Sequence, residues 1–420
     1  MTLKKKLTTA VATAALFMNF ALPVAAQTIS GNNSDSENYI NTDVDYDFDL
    51  DQNNDADVEN SVNISLDSGG NKVKDVVGGE VEIETGDLEA GVQVMNQLNM
   101  NVASFDVCGS CGMTGDFKIA DNNSGSDNDI DYDYESDFDL DQDNDADVEN
   151  DVDVTGKTGD NEVDDTMNGD VSVKTGDVTV NPIIIKNALN ANWAVVSSSD
   201  EEEDGVSAWI LGNNSDSDNF INLDFDHDTD VDQDNDADVE NDVAVSAKTG
   251  YNDVDDVAGA GVSIDTGDVE VGVMIDTMAN FNMAAVEDCC FLGDQETKIA
   301  DNNVDSDNDI EVDLDLDFEL DQDNDFDCGT SKGWFDNFLR GYEGGSDCNE
   351  VDVTGGTGDN EVEDAAAGGH DPEITTGDAA AAVQLSTSAN VNVEGGAGVD
   401  FDVDFGEVAD MLGDLFDLLD

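Results

Sequence analysis

Residues 127–153 read DNDIDYDYESDFDLDQDNDADVENDVD, and their alternation decides the fold. Every odd position from Asp127 to Asp153 is Asp or Glu, fourteen in succession. The even positions carry Ile130, Tyr132, Tyr134, Phe138, Leu140, Ala146, Val148 and Val152, with Ser136, Gln142, Asn144 and Asn150 among them. A period of two puts successive side chains on opposite faces of a strand, one acidic and one mostly apolar. A helix would scatter the carboxylates around its circumference, and Asp is a poor helix former. Asp224–Asp242 repeats the pattern against Ile221, Leu223 and Phe225.

The stretch belongs to a unit that occurs four times. Gln-x-Asn-x-Ala/Phe recurs at Gln52, Gln142, Gln233 and Gln322, with spacings of 90, 91 and 89. Gly-x-Asn-x-Val recurs at Asn71, Asn161, Asn252 and Asn360. Thr-Gly-Asp recurs at Thr85, Thr175, Thr266 and Thr376, and each copy is followed by Asn-x-Asn, beginning at Asn99, Asn190, Asn280 and Asn390. These markers divide the chain into β-repeats at residues 28–120, 121–211, 212–300 and 301–400. The last repeat is lengthened by an insertion at 328–348.

The expected fold is therefore all-β, with four repeats of about 90 residues. Twenty-eight alternating residues would span roughly 90 Å as one strand, far beyond the usual length. The run is expected to break at corners marked by Gln142, Asn144 and Asn150, since Asn tolerates irregular backbone. That gives coils of roughly 14–21 residues. Two architectures fit. Tandem β-sandwich domains match the period, whereas a β-solenoid gives inward amides stacked partners in neighbouring coils. The amides favour the solenoid, because a small sandwich core leaves them hard to satisfy.

The segment Gln142 to Asn150, Gln-x-Asn-x-Ala-x-Val-x-Asn, resembles the curlin repeat of curli fibres over about ten residues per unit. It lacks the Gly that follows Gln in that pattern, and its Asn is shifted by one. The Gly-x-Asn and Thr-Gly-Asp markers are similar to those of exported Asn/Gly-rich repeat proteins of bacterial cell surfaces. The resemblance implies a β-rich surface or fibre-forming component.

The chain has 102 acidic and 13 basic residues among 420, a net charge of −89. No basic stripe exists to neutralise phosphates, which excludes nucleic acid as a partner. Carboxylates two apart on one strand face repel by roughly 0.6 kcal/mol per pair in water, and stacked rows lie closer still. Divalent cations or high salt must offset this. Oxygen-only ligands favour hard ions, so Ca²⁺ is the expected cofactor. The candidate ligands are Asp51, Asp55, Asp57, Asp141, Asp143, Asp145, Asp147, Asp232, Asp234, Asp236, Asp238, Asp321, Asp323 and Asp325. The alternative is a solvated surface in a salt-loving host. An EF-hand is excluded, because from Asp141 the required Gly and Glu positions hold Ala146 and Val152.

The ends read differently from the repeats. Lys4–Lys6, the apolar stretch to Leu22 and Val24-Ala25-Ala26 form a secretory signal over residues 1–27. The mature chain is thus expected outside the cell or on its surface, without a transmembrane span. Residues 401–420 place Val408, Met411, Leu412, Leu415, Phe416, Leu418 and Leu419 at helical spacing, an acidic amphipathic C-terminal helix.

Six cysteines in an exported chain favour disulfides. Cys328 and Cys348 flank the insertion, so its ends are expected to be bridged. A bridge would staple an excursion holding Trp334, Phe335, Phe338, Arg340 and Tyr342, a candidate recognition loop or a satellite packing cluster. Cys108 and Cys111 suit a local disulfide, and the partners of Cys289 and Cys290 stay open. The two histidines, His227 and His370, form no nucleophile–base or zinc pattern, and a uniform carboxylate array singles out no acid or base, so no enzyme activity is expected. The resulting expectation is an exported structural protein, self-associating into fibres or layers and binding divalent cations. The alternatives are an adhesin that uses the repeats as a stalk, or a mineral- or ice-binding surface.

Overall fold

The computed structural model describes residues 2–10, 14–19, 25–106, 115–197, 206–258, 261–286, 296–328, 348–365 and 371–395. All regular elements among them are strands. Two precede the repeats, β1 (Thr2–Ala10) and β2 (Ala14–Asn19). The first rung holds β3 (Ala25–Ser30), β4 (Glu37–Asp67), β5 (Lys72–Val77), β6 (Val81–Glu84) and β7 (Leu88–Asp106). The second holds β8 (Gly115–Ala120), β9 (Asp127–Lys157), β10 (Glu162–Met167), β11 (Val171–Lys174) and β12 (Val178–Ser197). The third holds β13 (Val206–Leu211), β14 (Asp218–Lys248), β15 (Asp253–Val254), β16 (Val257–Ala258), β17 (Val262–Asp265) and β18 (Val269–Val286). The fourth holds β19 (Glu296–Ala300), β20 (Asp307–Asp327), β21 (Asn349–Gly356), β22 (Glu361–Val362), β23 (Glu373–Thr375) and β24 (Ala379–Gly395).

Each strand pairs in parallel with its equivalent one rung away, giving five sheets that run the length of the stack. The register is one to one over the whole long strand, from Asp218↔Asp127 to Lys248↔Lys157. Equal residues therefore sit on equal residues: Gln52, Gln142, Gln233 and Gln322 form one column. The molecule is a parallel β-solenoid in which one repeat of about 90 residues is one full turn.

The expected corners and the short coils are thereby corrected. β4, β9 and β14 each run 31 residues without a break, about 100 Å at ~3.3 Å per residue. Gln142, Asn144 and Asn150 lie inside β9, all fully buried. The usual limit on strand length reflects accumulated twist, and flat sheets persist where identical side chains stack in ladders. The inward amides find partners in the next rung, so they impose no corner.

Each rung is a flattened loop. The long strand forms one layer, and the β7-type and β3-type strands face it from the other. The C-terminal half of the long strand packs Val152 and Val154 against Val178, Val180 and Ile183 of β12. Its N-terminal half packs Ile130, Tyr132 and Tyr134 against Phe117, Ile119 and Ile210. The β5- and β6-type strands close one end around Val163, Val171 and Val173. The alternation in β9 is borne out in full, its even positions being buried from Asn128 to Gly156.

Two sequence markers make the turns. A Cβ on Gly159 would lie 1.8 Å from the carbonyl oxygen of Gly250, and Gly69 and Gly250 meet the same obstacle. Only glycine permits that approach between rungs. In Thr-Gly-Asp, the threonine Oγ1 caps the neighbouring turn: Thr85 donates to the Thr158 carbonyl at 3.1 Å and Thr175 to that of Thr249 at 2.9 Å.

Cys328 and Cys348 are disulfide-bonded, with 4.4 Å between their Cα atoms, as expected for the ends of an insertion. Trp334, Phe335, Phe338, Arg340 and Tyr342 lie outside the described residues, as do Cys108, Cys111, Cys289, Cys290 and the 401–420 segment. β1 and β2 pair with β7 on the edge opposite β12. No helix among the described residues is long and apolar enough to cross a membrane.

Candidate cation-binding rows and amide ladders

Outward side chains of the long sheet stack into acidic rows. Asp51, Asp141, Asp232 and Asp321 form one, and Asp55, Asp145, Asp236 and Asp325 another. Asp57, Asp147 and Asp238 share a third with Asp327, and Asp143, Asp234 and Asp323 share a fourth with Asn53. Neighbours in a row lie about 4.8 Å apart along the stack, which costs about 0.9 kcal/mol per charged pair in water. The carboxyls respond as that predicts. Asp141, Asp143, Asp145, Asp232, Asp234 and Asp236 are all pushed above the usual carboxylate range. Partial burial against the sheet is the larger cause, and the stacked aspartates add to it.

Tighter convergence occurs elsewhere. The carboxylates of Asp164, Asp165 and Asp256 come within 4.8 Å of one another, and so do those of Asp255, Asp256 and Asp364. Asp164 and Asp165 lie within β10, and Asp255, Asp256 and Asp364 directly follow β15 and β22. Asp165, Asp256 and Asp364 take left-handed backbone there, with φ of 52°, 52° and 42°. None of the fourteen aspartates expected from sequence belongs to either group. The signal that marks them is the recurring Glu/Asp-Val-Asp/Glu-Asp, as in Glu162–Asp165 and Asp253–Asp256.

The first rung breaks this pattern. Its equivalent stretch reads Lys72-Val73-Lys74-Asp75, and both lysines contact the second rung. Lys74 donates to Glu162 Oε1 at 2.6 Å and Asp164 Oδ2 at 3.1 Å, and Lys72 also binds Glu162. These two cations hold the Glu162 carboxyl down at about 2.

Inside the solenoid, columns of amides replace apolar packing. Asn54 donates to Asn144, Asn144 to Asn235 and Asn235 to Asn324, at 2.9, 2.9 and 3.0 Å. Asn60, Asn150, Asn241 and Asn349 do the same at 2.8, 2.7 and 2.8 Å. The columns also tie the two layers together, as in Asn144 to Asn192 and Asn60 to Asn96. Asn99, Asn190 and Asn280 sit in β7, β12 and β18 at φ near 55° and donate across to the long strand's carbonyls. Gln142, Gln233 and Gln322 ladder in the opposite sense, each donating to the rung before it.

His227 lies half-buried on the inward side of β14 beside Thr229, and burial pulls its pKa down. Its Nε2 lies 3.3 Å from Thr229 Oγ1, and it belongs to neither of the two carboxylate groups. No protein-family model, curated protein or solved structure matches the chain.

Proposed function

We propose that the protein is an exported structural component of a cell surface or matrix. In this reading its solenoid stacks into fibres, and divalent cations, Ca²⁺ foremost, line the acidic rows. The observation that carries it is the state of the last rung. Ile310, Val312, Leu314, Leu316 and Phe318 of β20 are 37–48% exposed, whereas Ile221, Leu223 and Phe225 one rung below are at most 1% exposed. A parallel edge of this length with an uncovered apolar row is a template for one more rung. The same stacking multiplies like charges along every row, and hard cations bridging oxygens are the chemistry that offsets them.

Imaging the exported protein by negative stain, with Ca²⁺ and with a chelator, tests this. Filaments or layers that grow with Ca²⁺ and recede with chelator are expected. Monodisperse particles in both conditions would sink the reading.

The bridge at Cys328–Cys348 favours a second reading, in which the stapled insertion binds a partner and the rungs serve as a stalk. Deleting residues 329–347 separates the two. Loss of surface adhesion with assembly intact supports the stalk.

A further inference from the structure

The two ends of the stack differ, and they differ in a complementary way. The head end is the edge of rung 1 and the tail end is the edge of rung 4. Three independent features of the ends agree.

The first is charge. Lys72 shares its column with Glu162, Asp253 and Glu361. Lys74 shares the next outward column with Asp164, Asp255 and Glu363, as the ladder bonds from Asp255 N to Val163 O and from Glu363 N to Val254 O fix. The lysine side chains remain 62% and 48% exposed after binding rung 2, so their head-facing flank is open. At the tail, Glu363 lies against Glu361 and Asp255, which together push its carboxyl up. Along the long strand, rung 1 also lacks an acid at five positions where the last rung carries one. Tyr39, Asn41, Asn53, Ser61 and Asn63 occupy the columns that end in Asp309, Glu311, Asp323, Glu350 and Asp352.

The second is the direction of the ladders. Five asparagine columns, those that begin at Asn38, Asn54, Asn60, Asn71 and Asn99, donate from Nδ2 towards the tail through all four rungs, as in Asn38 to Asn128 to Asn219 to Asn308, whereas in the turns Asn303 donates back to Asn214. Heads therefore present amide acceptors in these columns and tails present donors. Head-to-head or tail-to-tail contact would set like groups against each other.

The third is an orphan atom. Asn99 is 1% exposed, yet its Oδ1 has no hydrogen-bond partner. The same atom of Asn190 accepts from Asn99 at 3.1 Å, and that of Asn280 accepts from Asn190 at 3.1 Å. The donor Asn99 lacks is the one a further rung would supply. Asn390, at the tail of that column, carries it on an exposed side chain.

Resting on the fibre reading, we propose that copies join head to tail. Lys72 and Lys74 of one copy are clamped between their own Glu162 and Asp164 and the Glu361 and Glu363 of the preceding copy. Asn99 Oδ1 takes the Nδ2 of the preceding copy's Asn390. The contact is heterologous and does not close, so it propagates as a filament with a polarity. Four rungs at ~4.8 Å give an axial advance of about 19 Å per copy. β1 and β2 lie on the head edge of β7, so loss of the leader expected from sequence bares that edge.

Charge exchange tests the junction in protein recovered from an exporting host. Glu361→Lys/Glu363→Lys places cations beside Asp253 and Asp255 of the same copy, so the variant should melt no lower than wild type. It should nevertheless yield less than a tenth of the wild-type filament mass. Lys72→Glu/Lys74→Glu should also fail alone. An equimolar mixture should recover wild-type filament mass, because alternating copies restore opposite charges at both junctions. Filaments of the Glu361→Lys/Glu363→Lys variant as abundant as wild type would overturn the proposal. So would a mixture of two folded variants that stays unassembled while wild type polymerises. Wild type that never polymerises would instead remove the fibre reading, and this junction with it.

Discussion

At the scale of single residues, adjacent positions in β9 obey opposite rules. Asn144 faces in, where its amide accepts from Asn54, donates to Asn235 and crosses the layer to Asn192. Replacing it with Ala leaves several buried amide groups without partners, at about 1–3 kcal/mol. Asp143 faces out among Asp234, Asp141, Asp145 and Asp51. Asp143→Asn removes like-charge repulsion and should raise stability by up to about 1 kcal/mol at low salt without divalent ions. Urea denaturation of the two variants side by side checks the contrast. The alternation that assigns these two roles is plain in the sequence. That the inward amides form ladders rather than corners is not, because ladder and corner use the same residue type, and only the register of the next rung separates them.

For the long sheet as an element, acidity is the test. Carboxyls such as Asp141, Asp234 and Asp236 sit above their ordinary range in the fold. The fold then binds protons more tightly than the unfolded chain. Their contribution is complete below the unfolded carboxylate range and is lost as pH rises through the folded values. Melting temperature, followed by circular dichroism at low ionic strength, should therefore climb as pH falls from 7 towards 4. The Glu162 carboxyl, held at about 2, runs the other way, and its contribution disappears only as pH approaches that value. Ca²⁺ should raise the melting temperature at pH 7 and have little effect at pH 4, where fewer carboxylates are charged to receive it. A flat profile with no response to Ca²⁺ would count against cation binding along the rows. Sequence spacing alone selects every Asp in the alternating run equally. The tighter groups at Asp164, Asp165, Asp255, Asp256 and Asp364 arise where left-handed backbone at Asp165, Asp256 and Asp364 brings neighbouring columns together. Periodicity cannot report that.

Across the whole molecule, the four-fold repeat was legible because the markers recur at nearly constant spacing. The size of a turn was not, since a 90-residue period suits a domain as well as a single rung. What settles it is that every column joins equivalent residues of adjacent repeats, as in Gln52, Gln142 and Gln233. The exception to regularity is the insertion, closed by Cys328–Cys348 across 20 positions. In the chain-entropy picture a loop of that size is worth about 3 kcal/mol, so reduction should destabilise the fourth rung first. Hydrogen exchange of β21 and β20 with and without reductant would show it, and uniform loosening of all rungs would contradict it.

The backbone hydrogen bonds of all five sheets point along the stack, and the chain itself passes from one rung to the next once per turn. Tension applied along that axis therefore loads the weak bonds directly and peels rungs from an end, one at a time. Each rung advances the stack by about 4.8 Å while folded, yet its 90 residues reach about 300 Å when drawn out. A filament built this way would be stiff at low load and highly extensible beyond it. Single-molecule pulling should show steps of about 300 Å, recurring once per rung.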